Sequence, residues 1–462
     1  MNAWKKMIVS CLMIALVLTG CGKADEKSRT EQEDISMSVQ ESTAEQTEEM
    51  EKTEESTSEE MNVTEQDVTE QDVTGSYGYT IPELQIETKD LPDTEGMRFA
   101  QEMKLGWNLG NTFDASVDQP WFSDELDYES AWCGAKTTPE LIRTVKNAGF
   151  STIRIPVSWH NHVTGDNYEI SEAWMNRVCE VVDYAIELDM YVILDIHHDI
   201  FSGNEENSLG QCFVYPTEEC YAVSEKYVTC IWQQLCEEFR DYDEHLIFES
   251  LNEPRLTGTE YEWWLDPSSS ACTEAVNCIN RLNQCFVDVV RSSGGNNADR
   301  YLLIPGYCSS FDGANHPAFA LPQDTVEDRL MVSVHAYTPY HFALQSAAED
   351  GSRNSFDADN YADTQEIDTF MNALYEKYIS RGIPVIIDEF GARNKLLDEG
   401  FDNVQARINY SAYYVATARA NGMTCCWWDN NSFHSDGEDF GLIDRTALMW
   451  VYPDILKALT TY

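Results

Sequence analysis

Residues 245–255 read His-Leu-Ile-Phe-Glu-Ser-Leu-Asn-Glu-Pro-Arg. Leu246, Ile247 and Phe248 have the continuous apolar character of a buried strand, and the run then turns polar at Asn252 and Glu253. A carboxylate at the end of such a strand does nothing for a core. Its use depends on what the other strands end in.

Seven further runs share this pattern. They are LGWNLGN from Leu105, STIRIPV from Ser151, YVILDIHH from Tyr191, YLLIPGY from Tyr301, LMVSVHAY from Leu330, PVIIDEFG from Pro384 and TCCWWDN from Thr424. Helix-period segments separate them. Thr138 can cap one helix with Pro139 at its first position. Others span residues 172–188, 218–239, 273–291, 365–379 and 403–420. Alternation of strand and helix predicts a parallel sheet, and eight such units predict an α/β fold, a single (β/α)8 TIM barrel over residues 91–462. An open doubly wound sheet would carry a Gly-rich phosphate turn after its first strand, which Gly106-Trp-Asn-Leu-Gly110-Asn is not.

The runs terminate in Asn111, Arg154, His197 and His198, Asn252 and Glu253, His335 and Tyr337, Glu389, and Trp427 with Trp428. A barrel collects all carboxyl-terminal strand ends on one face. Glu253 and Glu389, from the fourth and seventh runs, should therefore face each other across a cleft. Two such carboxyls suit glycosidic bond cleavage, one protonating the leaving oxygen and the other attacking the anomeric carbon or activating water. Their pKa values must then be split. Arg154 and a hydrogen bond from Tyr337 would keep Glu389 charged, while Glu253, with no evident cation beside it, would stay protonated in a partly apolar setting. Asn252 could bind a sugar hydroxyl.

The ordered set RIPVSW, LNEP, HAY, DEFG and WWDN resembles glycoside hydrolase family five, the cellulase family. GWNLGNTFDA with FESLNEPR is similar to its bacterial endoglucanase and xyloglucanase branch, over a segment from about Met103 to Tyr462. The resemblance implies Glu253 as acid/base and Glu389 as nucleophile, with Arg154, His197, Asn252, His335 and Tyr337 in support. It also implies retention of configuration through a covalent glycosyl-enzyme, with the carboxyls about 5 to 5.5 Å apart. The resemblance implies a platform aromatic at Trp427 or Trp428; Trp428 is preferred because adjacent strand residues face opposite ways and the polar residue normally follows directly.

Other residues admit plainer readings. Glu253 with Arg255 could be a structural ion pair, and Asp195 a satisfied interior group. His197-His198-Asp199 suggests a metal, but neighbouring strand residues point apart, so no metal site and no cofactor are expected. His198 is the weaker candidate for sugar contact. His160 and His162 either line the cleft or cap a loop, and Trp121 and Trp132 either stack on distant sugars or pack their own loop.

The N-terminus has a different task. Lys5 and Lys6 precede an apolar run, Met7 to Leu18, too short to span a bilayer. It ends in Leu18-Thr19-Gly20-Cys21, which resembles a bacterial lipoprotein cleavage box and implies a signal peptide over 1–20 with lipid on Cys21; the alternative is an ordinary secretory signal with a coincidental cysteine. Residues 22–74 carry eighteen acidic side chains against four basic ones and almost nothing to bury. A disordered acidic tether is expected over 21–90. Of fourteen cysteines, most of those beyond Cys21 sit on helix-like patterns and should be buried free thiols.

The net charge of −51 excludes nucleic acid as a partner. Together these features predict an extracellular, membrane-anchored, monomeric endo-β-1,4-glucanase acting on β-glucan. Xyloglucanase, lichenase or mannanase activity from the same residues is the alternative, and a sugar-capturing lipoprotein without catalysis is the reading from another class.

Overall fold

Every apolar run becomes one stave of a closed parallel barrel in the computed structural model, which describes residues 78–117, 119–200, 213–395, 402–435 and 437–462. The strands are β1 (Leu105–Leu109), β2 (Thr152–Ile155), β3 (Tyr191–Leu194), β4 (Leu246–Glu249), β5 (Leu302–Ser310), β6 (Leu330–His335), β7 (Val385–Phe390) and β8 (Thr424–Asp429). Each pairs with its sequence neighbours, and β1 pairs β8 to close the ring. The expected fold class is present. The signal segment, Cys21 and residues 21–77 of the expected tether lie outside the described residues.

The helices follow their patterns. α1 (Glu95–Met103) precedes β1; α2 (Pro139–Asn147), α3 (Glu172–Ile186), α4 (Tyr221–Glu238), α5 (Ser270–Ser293), α6 (Tyr361–Lys377), α7 (Val404–Ala420) and α8 (Pro453–Thr461) clothe the barrel. Thr138 caps α2 by accepting from the Leu141 amide, with Pro139 first in the helix. After β5 there is only the short helix Phe311–Asn315.

α1 plugs the amino-terminal mouth. Its Phe99, Ala100 and Met103 cluster with Ile193, Ile247, Leu303, Met331, Ile386 and Cys426, one from each of six strands. That apolar layer floors the barrel, and each fully buried large side chain contributes about 1.5–3 kcal/mol. Gly106 belongs to the same layer because a Cβ there would meet Cys426 Sγ at 2.2 Å. With the floor sealed, polar groups can gather only at the opposite mouth.

One boundary needs correction. Residues 78–90, assigned to the tether, run along the barrel surface. Ile81 and Leu84 pack on the core, the Lys89 amide donates to the Ala420 carbonyl, and the Leu84 amide donates to Tyr462 Oη. The apolar residues spaced through 79–86 supply the buried area that the acidic stretch before them lacks.

The described cysteines are all free, seven of them buried, as the sequence suggested.

Candidate active site

The layer above the apolar floor is built around Arg154, which β2 points inward and which is fully buried. Its Nε meets Glu249 Oε2, its Nη2 meets Asp195 Oδ2 and its Nη1 meets Glu389 Oε1, each at 2.7 Å; Asp388 lies 3.8 Å away. Asn108 and Asn252 accept from the same guanidinium at 3.2 and 2.8 Å. From the sequence, only Glu389 was expected as a partner. Glu249, Asp388 and Asn108 were passed over because they sit inside apolar runs, where alternation alone marks them as facing the barrel interior.

Burial drives Glu249 well above the ordinary carboxyl range, although Arg154 opposes it, which favours its neutral form. Asp388 is held at about 2: burial raises it, and His335, Arg154 and a hydrogen bond from Glu249 outweigh that. The guanidinium thus faces a mixed set of charged and neutral acids. Arg154→Met is expected to destabilise the fold by about 3–5 kcal/mol, the cost of leaving buried carboxylates without their cation. Urea unfolding at neutral pH measures it.

Two adjacent acids on β7, Asp388 and Glu389, both approach Arg154, which a regular strand forbids. The pairing of β6 with β7 explains it: Ser333 opposes Ile386, but His335 opposes Glu389, one residue out of step. A bulge inserts a residue there and turns both carboxyls inward.

Above this layer the two expected glutamates meet. A carboxylate oxygen of Glu253, one of Glu389 and a ring nitrogen of His335 all lie within 4.8 Å of one another. Glu253 stands four residues past the end of β4, on the loop rather than at the strand tip. Its Oε1 is 2.9 Å from His335 Nδ1, and Tyr337 donates to Glu389 Oε2 at 2.8 Å.

The expected division of charge is corrected. Burial pushes Glu253 up, but the hydrogen bond from His335 and the charge of Arg255, 3.3 Å away, hold it at about 2. Glu389 is raised by burial and by Glu253, against His335 and Arg154. His335 is pushed down by burial yet held well above its usual value by Glu389, Asp388 and Glu253. These shifts favour the proton on His335 over Glu253, to which it is joined by one hydrogen bond. The sequence reading missed this because no cation adjoins Glu253 on the strand itself.

The other candidates fall into place. Asn252 is tied to Arg154, and Asp195 is the interior group expected, bonded to Arg154 and, at 2.8 Å, to His197. Trp428 turns into the barrel, its ring parallel to His197 at 5.9 Å. Gly110 makes room for it, since a Cβ there would lie 2.7 Å from the indole. Trp427 is corrected: it faces the helices, packs on Phe390 and donates to the Phe440 carbonyl. Asn111 lies in a left-handed turn beyond β1, where its amide donates to Asp114, and Asn108 is the asparagine that β1 sends into the site.

His197 and His198 do not point apart as expected. β3 ends at Leu194, so strand alternation no longer applies, and the two rings lie 4.4 Å apart. Together with Asp114 they bring three ligand-type atoms within 4.8 Å of one another, but both Asp114 oxygens already accept backbone amides and His197 Nδ1 is bound to Asp195. His198 lies against Trp132, whose ring is 5.6 Å away and 42% exposed. Trp121 is exposed as well. His160 bonds Asp199 and Ser116, while His162 bonds Glu125 and stacks on Trp174; both brace loops.

Known proteins match this arrangement. The family profile described as Cellulase (glycosyl hydrolase family 5) matches residues 114–434. Endoglucanase B of Ruminococcus albus is 40% identical over 385 residues, 83% of this chain and 84% of that protein. Endoglucanase A of Clostridium longisporum is 39% identical over 361 residues, 78% of this chain; the chain spans 64% of that protein's length. Among solved structures, a family 5 lichenase from Caldicellulosiruptor sp. F32 superimposes with a TM-score of 0.79 at 51% identity, covering 83% of this chain and 99% of its own. With the barrel, the polar mouth and the profile in agreement, the chain belongs to the cellulase family, glycosyl hydrolase family 5, and is a glycoside hydrolase.

Proposed function

We propose that the chain is a retaining endo-β-1,4-glucanase in which Glu389 is the nucleophile and Glu253 the acid/base. The observation that carries this is the convergence of both carboxylates on His335 within 4.8 Å. Separations near 5 Å suit direct attack on the sugar, whereas inverting enzymes leave roughly 6.5–9.5 Å for a water. Glu389 attacks the anomeric carbon, aimed by Arg154 and Tyr337. The proton on His335 Nδ1 passes along the 2.9 Å contact to Glu253 and on to the leaving oxygen. Glu253 then activates water, which releases the sugar from Glu389 with configuration retained. Trp428, His197, His198 and Trp132 form a continuous line of rings beside the two carboxylates on which sugar can rest.

Digestion of barley glucan, xyloglucan, xylan and mannan tests this. Release of reducing ends from a β-1,4-containing glucan is expected, and failure on every β-glucan sinks the proposal. The solved lichenase relative favours mixed-linkage glucan as a second reading of specificity. A sugar-capturing protein without catalysis is disfavoured, because a binder gains nothing from crowding this many buried acids.

We also place the domain outside the cell, bound to the membrane through lipid on Cys21. Cys21→Ala is expected to move active enzyme from the membrane pellet to the medium. Unchanged retention would refute the anchor.

A further inference from the structure

Arg255 is bound to the proposed acid at two points. Its Nη1 donates to the Glu253 carbonyl at 2.9 Å and to Glu253 Oε2 at 3.3 Å. Its guanidinium lies 4.0 Å over the ring of Trp263, and Glu262 stands 4.0 Å from its Nε. Glu262 in turn accepts from the Gly258 amide, and the Pro254 carbonyl between the two residues accepts from the Cys308 amide on β5. Arg255 Nε is itself buried and has no hydrogen-bond partner.

This is a frame with three sides. A backbone tie holds Pro254, the Glu262 carboxylate stands 4.0 Å from the guanidinium, and the indole face supports it from beneath. An arginine has the planar, multidonor head that such a frame requires, and lysine lacks it. A guanidinium stacked on an aromatic face is stabilised by the ring quadrupole and loses freedom to swing away.

We infer that Arg255, held flat on Trp263, is the positioning residue that fixes the Glu253 carboxyl in line with the leaving oxygen and lends its charge to the site that Glu253 shares with His335. The inference rests on Glu253 acting as the acid/base. Other charged or titratable groups face Glu253 from neighbouring elements. His335 comes from β6, Tyr337 from the loop after it, Glu389 from β7, His197 and His198 from the loop after β3, Cys308 from β5 and Glu438 from the loop after β8. Arg255 is the one whose orientation is set by an exposed aromatic on Glu253's own loop. Trp263 is 47% exposed.

The test compares Arg255→Met, Arg255→Lys and Trp263→Ala with the parent enzyme on barley glucan and on aryl β-cellobiosides of graded leaving-group acidity. Arg255→Met is expected to slow glucan cleavage by roughly tenfold to a hundredfold, the cost of a misplaced catalytic group. The dinitrophenyl cellobioside, which needs no proton for its departure, is spared in the glycosylation step. Removing the positive charge favours the proton-loaded site, so the basic limb of the kcat/KM profile moves up by about one pH unit. Arg255→Lys restores the limb but not the glucan rate, because it supplies charge without the planar head. Trp263→Ala gives a smaller loss in the same direction and serves if Arg255→Met does not fold.

Equal losses on all substrates with an unmoved basic limb mean that Arg255 is only structural, and they overturn the inference. The control is Glu253→Ala. If that variant shows no dependence on leaving group, the assignment of the acid itself fails; if it does and the Arg255 variants do not, the positioning role alone fails.

Discussion

Glu389→Gln is expected to reduce kcat on barley glucan by at least about 10⁴-fold, a barrier increase of roughly 5.4 kcal/mol. The amide is nearly isosteric and can still meet Arg154 and Tyr337, so the fold and substrate binding should change little. What it removes is the negative oxygen that forms the covalent bond to the anomeric carbon. The loss should appear on every substrate, including aryl glycosides with good leaving groups, because no proton can substitute for the missing nucleophile. A slowly turning-over 2-fluoro cellobioside should label Glu389 in the parent enzyme, and mass spectrometry of the peptide containing Asp388, Glu389 and Phe390 should find the adduct. Label on Glu253 instead would exchange the two assignments.

Glu253→Ala is expected to behave differently. Glucan cleavage should fall by about 10²–10⁴-fold, the usual contribution of a positioned acid/base. A dinitrophenyl cellobioside should nevertheless undergo the first step almost normally and show a burst, because its leaving group departs without a proton. Water attack in the second step is then slow. Equal losses on both substrates would argue against the acid role.

The pH profile belongs to the same argument. Glu389 must be charged to attack, and burial together with Glu253 raises it, so the acidic limb lies above the ordinary carboxyl value. On the basic side, activity is lost as the proton leaves His335, whose affinity for it is raised by Glu389 and Asp388. A bell is therefore expected, both limbs displaced upward and belonging to the coupled trio rather than to one residue.

The positions of the eight strands and six of the helices were legible in the chain, because apolar runs and helical periodicity are local properties. So was the meeting of Glu253 with Glu389, since a closed parallel barrel sends every strand end to one mouth whatever the loops do. Trp428 over Trp427 followed from alternation together with the polar Asp429 that comes directly after it, and the tie of Arg154 to Glu389 from charge.

Only the tertiary structure could decide the rest. The bulge that turns both Asp388 and Glu389 inward depends on how β7 pairs with β6, and no single strand records that register. The number of acids sharing Arg154, and the preference of the proton for His335 over Glu253, depend on distances between residues far apart in the chain. Electrostatic energy in a buried site is set by those distances and by the exclusion of water, neither of which exists until the barrel has closed.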